Sequence, residues 1–158
     1  MIRFVVFVVA AAFLSGGAIA APGVAGHSHG EETEYGKPGD PKKRARVVQI
    51  TMRESDGQML FFPDTITVKR GEQIRFRVIN NGAIDHEMTV ATVEENRKHK
   101  IEMEKNPDME HDDPNAIRLV PKKTGEILWH FTKAGEFEFA CLIPGHYESG
   151  MKGTIVVK

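Results

Sequence analysis

The chain has one cysteine, Cys141, in 158 residues. No intrachain disulfide can form, and no zinc site built from several thiolates can be assembled. Charge of neither sign is in excess: 21 basic residues against 22 acidic ones give a formal net charge of −1. A nucleic-acid-binding surface needs a basic surplus, so nucleic acid is not an expected partner. No hydrophobic run is long enough to span a membrane well; the longest, Phe4 to Leu14, is followed by Gly16-Gly17. Internal repeats are not evident. A hydrophobic share of 41% with 27% charged residues fits a folded domain and excludes disorder over most of the chain. Seven histidines and seven methionines are present, and both side chains bind soft metals.

The first twenty residues read as a secretory signal. Met1-Ile2-Arg3 is a short basic start, Phe4 to Leu14 the apolar run, and Ala18-Ile19-Ala20 a small-x-small cleavage pattern. Removal of residues 1–20 leaves no stable membrane span and places the mature protein in an oxidising compartment. A lone thiol there is a liability unless something protects it, so Cys141 is the residue to explain.

Residues 21–45 are rich in Gly, Pro and charge and read as an extended or disordered leader carrying His27 and His29. From residue 46 short alternating segments begin: Arg46 to Met52, Met59 to Phe62, Thr65 to Lys69, Gln73 to Asn80, His86 to Ala91, Asn115 to Leu119, Glu126 to Phe131, Glu136 to Ala140 and Thr154 to Val157. In Gln73 to Asn80, Ile74, Phe76 and Val78 fall on one face, and Asn80-Asn81-Gly82 is a turn signal. Short strands with frequent turns predict an all-β fold, a Greek-key β-sandwich over residues 46–158. Residues 92–114 interrupt it with a highly charged insertion. Thr92 and Glu95 have capping-box spacing, and Pro107 should end the helix they start.

Near the C-terminus lies Cys141-x4-His146-x4-Met151. The cysteine ends a strand, a loop with Pro144 and Gly145 returns His146, and Met151 precedes the last strand. A one-electron copper site uses this set: a soft thiolate, imidazoles that suit both oxidation states, and a thioether as weak axial contact. A trigonal site needs a second histidine. His27 and His29 lie in the leader, His99 and His111 in the insertion. His130 sits between Trp129 and Phe131, where a hydrogen-bonded core residue is expected. His86 opens a strand directly after the Asn80 to Asp85 turn and is the best candidate. Met88, two residues on, faces the same side and reads as packing beneath the site.

The pattern Phe139-x-Cys141-x-x-Pro144-Gly145-His146-x4-Met151-x-Gly153, with Asp85-His86 upstream, resembles the cupredoxins, the small blue copper proteins. The resemblance spans roughly residues 46–158. It implies one type 1 copper bound by His86, Cys141 and His146, with Met151 axial. Glu87 departs from the pattern, because many cupredoxins have Asn or Ser there to tie the ligand loops. Support for the thiolate is then expected from backbone groups, and the redox potential is left open. Met103 to Pro114 together with Asp85 to Met88 is similar, more narrowly, to periplasmic cupredoxins linked to bacterial copper tolerance.

Two functions follow as expectations. In the first, the protein handles copper in the periplasm, with His27, His29, Met103, Met109 and His111 as additional weak copper sites; for Met103 and Met109 an equal alternative is that they pin the insertion to the sandwich. In the second, it is a soluble electron carrier that docks a redox protein through Leu142, Ile143 and Pro144 beside His146. Enzyme activity of the multicopper oxidase or copper nitrite reductase kind is not expected, since those need further copper centres. A binuclear site bridged by two cysteines is excluded by the cysteine count.

Overall fold

The computed structural model describes residues 32–106 and 113–158. Among the described residues, ten strands and one helix run in the order β1 (Lys37–Pro38), β2 (Arg46–Ser55), β3 (Gln58–Phe62), β4 (Thr65–Val68), β5 (Gln73–Asn80), β6 (His86–Ala91), α1 (Val93–Lys105), β7 (Ala116–Leu119), β8 (Thr124–His130), β9 (Gly135–Ala140) and β10 (Lys152–Val157). They form two five-stranded sheets, ordered β1-β8-β5-β2-β3 and β4-β10-β9-β6-β7. Most neighbours are antiparallel. β2 pairs with β5, and β4 with β10, in parallel. The fold is the expected β-sandwich with a helical insertion.

Alternation decides which residues enter the core. On β5, Ile74, Phe76 and Val78 are fully buried while Arg77 is exposed. Ile50 and Met52 from β2, with Ile127 and Trp129 from β8, complete that inner face. Met88, Val90, Phe137, Phe139, Ile155 and Val157 face them from the second sheet. Phe139 meets Phe61 edge-on, with ring centroids 5.0 Å apart.

The chain joins the sandwich before residue 46. Tyr35 is buried and stacks on Trp129 at 5.4 Å, and its carbonyl accepts the indole N–H at 2.9 Å. β1 then pairs with β8 at its edge. Residues 21–31 of the leader lie outside the described residues, as does the signal segment.

Thr92 and Glu95 form the full capping box, and the helix stops at Lys105, short of Pro107. α1 packs against β6 and β9 on the outer face of the second sheet. It covers the residues that alternate with the core-facing ones, so every residue of β6 is buried. Asn96 and Met103, seven apart on one helix face, are the two buried residues of α1.

Candidate metal centre

The end of β9 delivers Cys141, and a short loop brings the chain back to β10. That loop closes on its own backbone. Cys141 N–H donates to Met151 O at 3.1 Å, Met151 N–H to His146 O at 3.1 Å, and His146 N–H to Ile143 O at 3.0 Å. Gly145, at φ +86°, takes a left-handed turn that a side chain would disfavour. The pairing of Thr89 with Ala140 sets the start of β6 beside Cys141.

Three donor atoms converge there. His86 Nδ1 and His146 Nδ1 are 3.3 Å apart, and Cys141 Sγ is 3.3 Å from His146 Nδ1. One ligand atom from each of the three residues lies within 4.8 Å of the others. His86 and Cys141 are wholly buried, while His146 keeps 8% of its surface exposed and is the member of the cluster nearest solvent. Met151 is fully buried and tied through its backbone to both Cys141 and His146. Met88 is fully buried in the core, as its strand position implied.

The surroundings tune these groups. Burial pushes the Cys141 thiol up to about 12, and the nearby Glu87 carboxylate adds to this. The backbone N–H of Glu87, donating to Sγ at 3.3 Å, works the other way. Burial, then repulsion from His86, lowers the pKa of His146, with Glu54 opposing. A thiolate in this site is therefore costly without a cation beside it. Two imidazole nitrogens gathered beside one sulfur fit such a cation. Two ring nitrogens and one thiolate sulfur match copper chemistry better than zinc.

The two ligand segments are braced differently. Asn80, fully buried, donates through Nδ2 to Ile84 O and Leu119 O, both at 2.8 Å, and accepts Gly82 N–H at 2.9 Å. Glu54, near the end of β2, accepts Ala83 N–H at 3.0 Å and lies 2.8 Å from His86 Nε2. Burial works to raise the Glu54 carboxyl. The Ala83 N–H and the hydrogen bond with His86 outweigh it, and the group sits below its ordinary value. Glu54 carries no signal in the sequence: it is 32 residues from His86 and looks like any strand-end carboxylate. Glu87 is buried, and its carboxylate accepts the Thr89 hydroxyl at 2.9 Å instead of joining the ligand loops. Its contribution to the sulfur is the backbone N–H, as the departure at this position suggested.

Other candidate residues are placed apart from this cluster. His130 Nε2 lies 3.1 Å from Gly71 O, and the residue has no part in the centre. His99 is on α1, with Nδ1 3.8 Å from Glu102. Met103 is not an accessible copper-loading residue: it is fully buried with Ala140 and Leu142, and Tyr147 packs against that group. Met103, with the buried Asn96 whose Nδ2 donates to Glu138 at 3.0 Å, pins the helix to the sheet. Leu142 is correspondingly lost from the expected docking patch, leaving Ile143 half-buried and Pro144 exposed. His27, His29, Met109 and His111 lie outside the described residues.

Comparison with known proteins matches residues 48–158 to a family described as copper binding proteins, plastocyanin/azurin family. The chain is 50% identical over 132 residues to the copper-resistant cuproprotein CopI of Rubrivivax gelatinosus, covering 84% of this chain and 78% of that one. With the protein of the same name from Vibrio cholerae serotype O1 the identity is 36% over 123 residues, covering 78% and 72%. Among solved structures, auracyanin B superposes with a TM-score of 0.64 at 21% identity, covering 78% of this chain and 96% of auracyanin B.

Proposed function

Since the chain belongs to the plastocyanin/azurin family of copper-binding proteins, we propose that it holds one type 1 copper through His86, Cys141 and His146, with Met151 axial, and serves periplasmic copper tolerance. The observation that carries this is the convergence of two Nδ1 atoms and one Sγ in a buried cluster. Copper, when bound, supplies a reversible one-electron change and an intense thiolate-to-metal absorption. The chain supplies the rest. The self-closed loop fixes Cys141, His146 and Met151 relative to one another, so little need move as the charge at the centre changes. The Glu87 N–H holds Sγ in place, and Met88 fills the space beneath.

The relatives' printed name describes a copper-resistant cuproprotein, and the reading assigns this chain no catalytic role. Copper tolerance is supported by the printed names of its relatives, and the signal-like residues 1–20 support export. Two measurements test the reading. Cu(II)-loaded protein should show a strong visible band that vanishes in Cys141→Ser, and a strain lacking the protein should grow poorly on copper. Normal growth of that strain would remove tolerance from the proposal, and a missing band would remove the copper site.

The 8% exposure of His146, beside Pro144, favours a second reading as an electron carrier. Copper stoichiometry separates the two. One copper both in the mature protein and in a variant without residues 21–45, with fast electron exchange to a cytochrome, supports the carrier. Extra copper lost with His27 and His29, or with Met109 and His111, supports tolerance.

A further inference from the structure

The ligand set does not itself require the contact between Glu54 and His86. Glu54 belongs to β2, in the sheet opposite β6, and its carboxylate reaches across the end of the sandwich. Oε1 lies 2.8 Å from His86 Nε2 and also takes the Ile84 N–H at 3.4 Å, while Oε2 takes the Ala83 N–H at 3.0 Å. A side chain at position 82 would compete for the same space. A Cβ built on Gly82 would fall 2.6 Å from Oε1 and 2.7 Å from Oε2. His86 is wholly buried, whereas the Glu54 side chain is 32% exposed.

We propose that Glu54 is a positioning residue of the copper centre: its carboxylate accepts the His86 Nε2–H, fixes Nδ1 as the metal-facing lone pair, and biases the centre toward the cupric form. This rests on the copper reading above. A neutral imidazole has one N–H and one lone pair, and the partner of one nitrogen decides which is which. With a carboxylate at Nε2 the proton belongs there, and Nδ1 faces Cys141 and His146 with its lone pair. A carboxylate on the far N–H also makes the near nitrogen more basic. Its negative charge favours the more positive oxidation state, an effect weakened by the solvent that reaches Glu54. The same carboxylate holds Ala83 and Ile84, so ring and loop are oriented together.

The test compares wild type with Glu54→Gln and with Gly82→Ala, which displaces the carboxylate without removing its charge from the chain. The copper-free proteins are read by nitrogen NMR of His86, and the Cu(II)- and Cu(I)-loaded proteins by midpoint potential and competition for each ion. Wild-type His86 should be protonated at Nε2. Glu54→Gln should keep the Cys141-dependent band, raise the midpoint potential, and weaken Cu(II) binding by about 10–100-fold with a smaller effect on Cu(I). Gly82→Ala should shift the potential in the same direction. A wild-type Nδ1–H tautomer, or an unchanged potential in either folded variant, overturns the inference while leaving the copper site intact. Absence of the band in wild type would instead overturn the copper reading, and the NMR tautomer would still report on Glu54. Should Glu54→Gln fail to fold, Gly82→Ala and the wild-type tautomer decide the matter.

Discussion

From Cys141 to Met151 the chain carries three of the four proposed donors and closes on its own backbone. From Asn80 to His86 it carries one donor and is held largely from elsewhere. The first loop is bounded by the paired strands β9 and β10, and hydrogen bonds join Cys141 to Met151 and Met151 to His146. The second leans on Glu54 from β2, on the Leu119 carbonyl at the end of β7, and on an Arg118–Asp85 ion pair at 3.4 Å. A self-closed loop can hold its geometry through local bonds. A remotely braced one transmits changes in either sheet to its ligand.

The comparison can be broken first at the shared atom. Cys141→Ser should abolish the visible band of the copper-loaded protein outright, checked by absorption spectroscopy, whichever loop is the stiffer. Next, Asn80→Ala strikes the braced loop. It removes three hydrogen bonds, two of them to the Ile84 and Leu119 carbonyls, and urea unfolding should report a loss of about 3 kcal/mol. Copper spectra of that variant should broaden as His86 loses its fixed position. Met103→Ala tests how far the self-closed loop depends on α1. Loss of the packing against Ala140 and Leu142 should cost about 2 kcal/mol, with copper stoichiometry unchanged. The smallest effect belongs to Ser149→Ala, where the lost bond to Gly145 O is exposed. Its cost should be within about 0.5 kcal/mol, with the spectrum unaltered.

The same contrast explains what could be read from the residues alone. Cys141, His146 and Met151 sit close together in one loop, so their chemistry is visible in the order of letters. β5 and β6 were legible to the residue because alternation and the Asn80-Asn81-Gly82 turn are local signals, as is the capping box of Thr92 and Glu95. Glu54 was not legible. Its role depends on β2 lying parallel to β5, which brings Met52 level with Asn80, and no local pattern encodes that register. Lys37–Pro38 escaped for a similar reason: a two-residue edge strand is defined by its partners Trp129 and His130 rather than by its own sequence. For Met103 the choice between loading copper and pinning the insertion stayed open, because a mostly polar helix gives little hint of which residue faces the sheet; its full burial decides for the pin.

β10 follows every other strand in chain order, yet it pairs with β9 on one side and with β4 on the other. A chain cut short of β10 would leave β9 and β4 without the neighbour that joins them, and the loop carrying Cys141 and His146 would lose its far anchor.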